Sequence, residues 1–206
     1  MNSAAVFLDK DGTLIENVPY NVDLTRMRLN AGALECTFLL QQAGYQLVVV
    51  SNQSGVAQGF FHETKLIPVE RHLRRLLEQG GVDLSGFYYC PHHPRGSVEP
   101  YNRECTCRKP KPGMLLEAAE ELQIDLSASW LIGDILNDVE AGKRAGCRTI
   151  LLDNGHETEW NMSSLRQPDF MVRDLLSAAE IVLSEEKIGS LPKKQRIRGK
   201  DEHRFA

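Results

Sequence analysis

Asp9 and Asp11 stand one residue apart where the apolar run Val6-Phe7-Leu8 stops, in Asp9-Lys10-Asp11-Gly12-Thr13-Leu14. Ala4 to Leu8 reads as a buried strand that Gly12 and Thr13 end, so both acids emerge where the strand leaves the core. Open α/β sheets bind ligands at that edge. Alone, an Asp-x-Asp pair reads as a solvated loop; three further clusters argue otherwise. Ser51-Asn52-Gln53-Ser54-Gly55 follows a second apolar run, and a hydroxyl beside backbone amides suits an oxyanion, although turns use the same residues for local capping. Arg108-Lys109-Pro110-Lys111-Pro112-Gly113 sets cations in a stiff segment ahead of a helix, which is a phosphate clamp unless it is simply a solvated basic loop. Gly133-Asp134 again ends an apolar strand in an acid, and Asp138 would lie near it across the first helical turn. Strand tips would thus bring Asp9, Asp11, Ser51 and Asp134 into one site, with Lys109 from a loop. That many carboxylates suit Mg²⁺, a hard cation that takes carboxylate, phosphate and water oxygens.

A second constellation is Cys90-Pro-His92, twelve residues, then Cys105-Thr-Cys107. Three thiolates and one imidazole are a tetrahedral zinc set, and four protein ligands leave no open position, so the zinc would be structural. It would fix a loop that lacks periodicity and aim Arg108 and Lys109. The alternative is incidental or partly disulfide-linked cysteines. His93 competes as the imidazole, and His92 is preferred. Cys36 and Cys147 lie in or beside apolar patterns and read as core.

The elements that must position these groups alternate. Strand patterns at Ala4–Leu8, Gln46–Val50, Phe87–Tyr89, Trp130–Ile132, Thr149–Leu152 and Phe170–Val172 are separated by helical patterns at Ala31–Ala43, with Leu34, Phe38 and Leu39 on one face, Glu63–Gln79, Met114–Leu122 and Val139–Ala145. Such alternation predicts an α/β fold, a Rossmann-like doubly wound parallel sheet covered on both faces. Cys90–Gly113, with five prolines, is the exception and reads as the zinc-stapled loop. Residues 1–186 are expected to form one domain.

Composition sets the class: 206 residues, 42% hydrophobic and 25% charged, are ordinary for a globular domain. No apolar stretch approaches the length of a membrane span, and no basic segment followed by an apolar core opens the chain, so a cytoplasmic protein without membrane contact is expected. The segment 187–206 carries seven Lys/Arg against two acids, so the net charge of −4 leaves −9 on the first 186 residues. An acidic body argues against nucleic acid as partner. The basic tail has few large apolar residues and is expected to be disordered.

Taken in order, Asp9-x-Asp11-Gly-Thr, Ser51, Lys109 and Gly133-Asp134-x-x-x-Asp138 resemble the four motifs of the haloacid dehalogenase (HAD) superfamily of aspartate-nucleophile phosphatases, over about Ala4 to Leu152. The resemblance implies a HAD-type fold in which Asp9 forms an aspartyl-phosphate and Asp11 is the acid and base. It further implies that Asp9, the Asp11 carbonyl and Asp134 hold Mg²⁺ with Asp138 in support, and that Ser51 and Lys109 grip the phosphoryl group. Within the superfamily, Cys-Pro-His-His-Pro followed by Cys-x-Cys-Arg-Lys-Pro-x-Pro-Gly-Met resembles the D-glycero-D-manno-heptose 1,7-bisphosphate phosphatases. The related histidinol-phosphate phosphatases have a shorter gap between His and the paired cysteines. This likeness implies a small phosphorylated sugar as substrate, contacted by Asn17, Val18, Pro19, Tyr20, Ser51, Asn52, Gln53, Ser54, Arg108 and Lys109, and a monomeric enzyme. Ile135 departs from the pattern, since a basic residue often follows the fourth-motif aspartate. No insertion is large enough for a cap domain, so the site should be open; a polynucleotide 3′-phosphatase and a non-catalytic phosphate-binding scaffold stay as alternatives.

Overall fold

The apolar runs become six strands: β1 (Ala5–Leu8), β2 (Gln46–Asn52), β3 (Gly86–Cys90), β4 (Trp130–Gly133), β5 (Arg148–Leu152) and β6 (Phe170–Val172). They form one parallel sheet in the order β3-β2-β1-β4-β5-β6. A computed structural model describes residues 3–190. The strand order reverses direction at β1, so a crevice opens at the carboxyl ends of β1 and β4, the place where doubly wound sheets bind ligands. The register Leu8↔Val49 and Leu8↔Ile132 aligns three strand ends there.

Side chains alternate between the faces with period two. Val6, Leu8, Val49 and Ile132 pack into one cluster, whereas Ala5, Phe7, Val50 and Leu131 pack into the other. The first face is covered by α1 (Ala33–Gln42), α2 (Leu66–Glu78) and α5 (Leu175–Ser190), whose Leu40, Leu73 and Val182 are fully buried. On the second lies α3 (Gly113–Leu122), through Met114, Leu115 and Ala118, while α4 (Leu136–Ala145) packs beside β4 and β5. Each such aliphatic side chain stabilises the fold by roughly 1.5–3 kcal/mol through apolar area removed from water.

One expectation is corrected. On α1 the buried face is Ala33, Cys36, Thr37 and Leu40, while Phe38 is exposed. Small side chains at this spacing let α1 lie against α5, and the bulkier Phe38 points away. The boundary expected at residue 187 falls inside α5, and residues 191–206 of the expected tail lie outside the described residues. Cys36 and Cys147 are buried, as core residues should be.

Candidate active site

Asp9 directly follows β1 and is 7% exposed, because its neighbours on both sides are strand ends. Lys109 comes from the irregular segment between β3 and α3, yet is only 2% exposed. Its ammonium reaches Asp9 Oδ1 at 2.5 Å, Asp138 Oδ1 at 2.6 Å and the Val50 carbonyl, to which it donates at 2.8 Å. A lysine is buried here because two carboxylates and a strand-end carbonyl surround its charge. Asn52 fixes the backbone carrying it: the Lys109 amide donates to Asn52 Oδ1 at 3.0 Å, and Asn52 Nδ2 donates to the Lys109 carbonyl at 3.1 Å.

Asp134 follows β4 and is 3% exposed. Thr13 Oγ1 donates to its Oδ1 at 3.2 Å, and His156 Nδ1 lies 2.7 Å from its Oδ2. Gly12 makes this approach possible: at φ +90° a side chain would be strained, and a Cβ there would sit 2.1 Å from Asp134 Oδ2. Ser51 is buried at the end of β2, where its hydroxyl accepts from Gln53 Nε2 at 2.8 Å. The same Gln53 nitrogen donates to Asp11 Oδ2 at 2.8 Å, and Lys10 Nζ holds Asp11 Oδ1 at 2.5 Å. Asp11 is thus an acceptor on both oxygens, and each oxygen keeps a further lone pair that can carry a proton.

Electrostatics test whether a divalent cation fits. Carboxylate oxygens of Asp9, Asp134 and Asp138 lie within 4.8 Å of one another. Burial pushes Asp9 up to about 7; Asp138 and Asp11 add to this, and Lys109 offsets only part. Burial and then Asp9 push Asp134 up to about 6, against the pull of His156 and Lys109. Asp138 is also raised, chiefly by burial, and its Oδ1 has no hydrogen bond of good geometry despite the nearby ammonium. Burial opposes the Lys109 charge, but Asp138 and Asp9 outweigh it and hold the ammonium above its ordinary range. One buried cation among three buried acids leaves negative charge uncompensated, which is what a hard divalent cation would neutralise. Among the described residues no backbone amide donates to the Asp11 carbonyl, so this oxygen is free to ligate.

In the segment between β3 and α3, Cys90, His92, Cys105 and Cys107 converge with their ligand atoms within 4.8 Å of one another. Cys90 Sγ lies 3.5 Å from Cys105 Sγ and 3.7 Å from His92 Nδ1; Cys107 Sγ lies 3.4 Å from Cys105 Sγ and 3.5 Å from His92 Nδ1. Zinc–sulfur bonds of about 2.3 Å imply tetrahedral edges of about 3.8 Å; the donor set suits zinc, four of these spacings lie near that edge, and Cys107 Sγ to Cys90 Sγ, at 2.9 Å, would open on metal binding. His92 is the imidazole in this cluster, whereas His93 Nδ1 accepts from the Arg95 amide at 3.1 Å.

Around this centre Arg95, Arg103, Arg108 and Lys111 line a cleft of about 260 Å³ that reaches Lys109. Lys111 is paired with Glu104 at 2.8 Å, whereas the nearest acceptor of Arg108 is the His92 carbonyl at 3.4 Å. Burial, then the positive charges of Arg108 and Arg95, hold His93 below its usual range. Of the expected substrate contacts, Arg108 and Lys109 line this cleft, Asn52 is hydrogen-bonded to the Lys109 backbone, and Ser51 and Gln53 lie with Asp11. Ser54 accepts from Gln58 N through its carbonyl at 2.9 Å. Asn17 leads into a turn over Val18–Asn21 in the loop after β1, closed by the Asn21 amide donating to the Val18 carbonyl at 3.2 Å, where Tyr20 takes φ +54° and packs on Phe60 at 4.5 Å between ring centroids. Sequence reasoning missed Lys10, Thr13, Asn30, Asn154 and His156. Asn30 Nδ2 donates to the carbonyls of Gly12, Thr13 and Ile15 at 3.1, 2.8 and 3.1 Å, and so shapes the turn behind Asp11. Thr13 alone had a signal, its place in the first motif; the others lie in aperiodic segments or read as isolated polar residues.

Comparisons with known proteins agree with this geometry. The HAD-hydrolase-like family model matches residues 106–178. The D-glycero-beta-D-manno-heptose-1,7-bisphosphate 7-phosphatase of Photorhabdus laumondii is 45% identical over 148 residues, 72% of this chain and 79% of that protein. That of Pasteurella multocida is 44% identical over 152 residues, 73% of this chain and 82% of its own length. Among solved structures, the D,D-heptose 1,7-bisphosphate phosphatase from B. bronchiseptica, complexed with magnesium and phosphate, is 30% identical with a TM-score of 0.75 over 88% of this chain and 99% of that one. With its motifs assembled at one sheet edge and these relatives beside it, the chain belongs to the HAD-like phosphatases, in the family that includes the heptose-1,7-bisphosphate 7-phosphatases.

Proposed function

We propose that this protein removes the 7-phosphate of D-glycero-D-manno-heptose 1,7-bisphosphate, with Mg²⁺ as cofactor, as a cytoplasmic monomer. The observation that carries the reading is the Asp9–Lys109–Asp138 cluster at the switch point, in a chain 45% identical to a phosphatase of that substrate. An Asp9 carboxylate oxygen attacks phosphorus while the ester P–O bond breaks, and Asp11 supplies the proton to the leaving oxygen. Water then attacks the aspartyl-phosphate, Asp11 takes its proton, and Asp9 leaves as carboxylate with release of inorganic phosphate. Lys109 holds Asp9 in line and faces the developing charge; the Ser51 hydroxyl grips a phosphoryl oxygen, and Gln53 orients both Ser51 and Asp11. Mg²⁺ would be held by Asp9, the Asp11 carbonyl and Asp134, and would supply charge neutralisation for the transferring group. Asp138 supports by fixing Lys109.

The cleft of Arg95, Arg103, Arg108 and Lys111 supports a substrate with a second anionic group and offers cations that Ile135 does not. The family resemblance assigns residues 17–20 to substrate contact as well, and zinc in the Cys90–His92–Cys105–Cys107 set would hold the cleft wall in place. An acidic body and a small-molecule-sized cleft support no nucleic-acid partner. The test is phosphate release from heptose 1,7-bisphosphate, fructose 1,6-bisphosphate, histidinol phosphate and 3′-phosphorylated DNA, with Asp9→Asn as control. Highest kcat/KM on the heptose with loss in the variant is expected. Absence of Mg²⁺-dependent turnover on every substrate would sink the enzyme reading, and equal rates on all would sink the named substrate.

A further inference from the structure

We infer that His156 is a positioning residue for the metal carboxylate, delivered by a clamp formed by Asn154, His156 and Glu157 in the loop after β5. Three contacts, to three separate parts of the site, carry this. Asn154 Nδ2 donates to the Gly12 carbonyl at 2.7 Å, bracing the turn behind Asp9 and Asp11. The Glu157 carboxylate accepts from the Leu136 amide at 2.6 Å, at the positive N-terminal end of α4, the helix that presents Asp138. Between them, His156 Nδ1 lies 2.7 Å from Asp134 Oδ2. A carboxylate only accepts when ionised, so the imidazole donates through Nδ1.

The geometry distinguishes His156 from its two neighbours, which touch only backbone. Thr13 takes Asp134 Oδ1 and His156 takes Oδ2, so both oxygens are held and the carboxylate plane cannot turn. No room is left for another arrangement: a Cβ on Gly12 would lie 2.6 Å from His156 Nδ1 as well as against Asp134. Each oxygen keeps a further lone pair for a cation, and a ligand held in one orientation loses less freedom when the cation binds. Groups that orient metal ligands in this manner typically contribute about 10–100-fold in metal affinity.

The inference rests on the metal reading of Asp9 and Asp134 given above, and its test needs no substrate. Mn²⁺, a spectroscopic substitute for Mg²⁺, would be titrated into zinc-replete full-length protein, with free Mn²⁺ followed by electron paramagnetic resonance. His156→Ala should weaken Mn²⁺ binding by about 10-fold or more. His156→Gln, which keeps a side-chain N–H donor, should recover part of the loss. Asp169→Ala, which removes the Lys143 ion pair and the Thr149 hydrogen bonds at the opposite end of β5, should lower the melting temperature and leave the affinity within about twofold. Unchanged affinity in a folded His156→Ala protein, or equal losses in His156→Ala and Asp169→Ala, would overturn the role of the imidazole. Failure of the unaltered protein to bind Mn²⁺ would instead overturn the metal reading on which the role depends.

Discussion

Lys109 is the residue on which the charge balance of the site turns, because its buried ammonium is shared by Asp9 and Asp138. Removing one partner of a buried ion pair leaves the other charge without compensation and costs about 3–5 kcal/mol. Lys109→Ala should therefore lower unfolding stability by about that amount in urea titrations and reduce kcat by at least about 10³-fold. Lys109→Met keeps most of the side-chain volume and should destabilise as much, since the deficit is charge and not packing. A Lys109→Met protein as stable as the original would mean that the carboxylates find other partners. Gln53 acts more mildly. It donates to Ser51 and Asp11 from one nitrogen, so Gln53→Ala should lower kcat by about 10-fold with little effect on fold. A variant with unchanged kcat would remove Gln53 from the positioning of Asp11.

The segment between β3 and α3 has no helical or strand ladder of its own to hold it, and yet it must bring Lys109 to the sheet edge. The Cys90–His92–Cys105–Cys107 cluster sits between the end of β3 and Arg108, whose amide donates to Cys105 Sγ at 3.4 Å. Replacing Cys105 by Ser, or stripping the metal with a chelator, should release about one zinc per chain by elemental analysis, open the loop to proteolysis and raise KM more than about 10-fold. Loss of zinc without change in KM would show that the loop holds its shape unaided. This cluster was legible in the sequence because ligand identity and spacing survive without knowledge of the fold. So were the six strands and the acids at their ends, since an apolar run that stops in Asp or Ser marks both the element and the edge. Less visible was α5, although Leu175, Ala178, Ala179 and Val182 keep helical spacing and Asp174 caps it by accepting from the Ser177 amide at 2.8 Å. On α1, apolar residues stand on more than one side, so periodicity could not choose the buried face. His156 was illegible for another reason: its partner Asp134 is brought to it only by the pairing of β4 with β5.

Across the molecule, the acids crowded at the crevice make stability and metal binding depend on pH in a defined direction. Asp9 and Asp134 hold their protons up to about pH 7 and about pH 6 in the folded chain, whereas an unfolded aspartate releases its proton near pH 4. Between about pH 4 and 7 these two acids thus bind more protons in the folded state than in the unfolded one, so their contribution to the stability of the Mg²⁺-free protein should fall as pH rises through this window. Acids with lowered values, such as Asp169 and Glu140, act in the opposite sense near and below their ordinary values, and the Cys107 thiol, pulled down to about 5 chiefly by its hydrogen bond with Cys90, and His93 oppose the two acids within the window. Mg²⁺ held as proposed would bind the ionised carboxylates and relieve the repulsion, so its stabilising effect should grow over the same range. Thermal melts with and without saturating Mg²⁺ should show a small shift at pH 5 and a larger one at pH 7.5, with Asp134→Asn abolishing most of the difference. A Mg²⁺ shift that is constant with pH, or larger at pH 5, would mean that the acids are already ionised without the cation and that their burial does not raise their proton affinity.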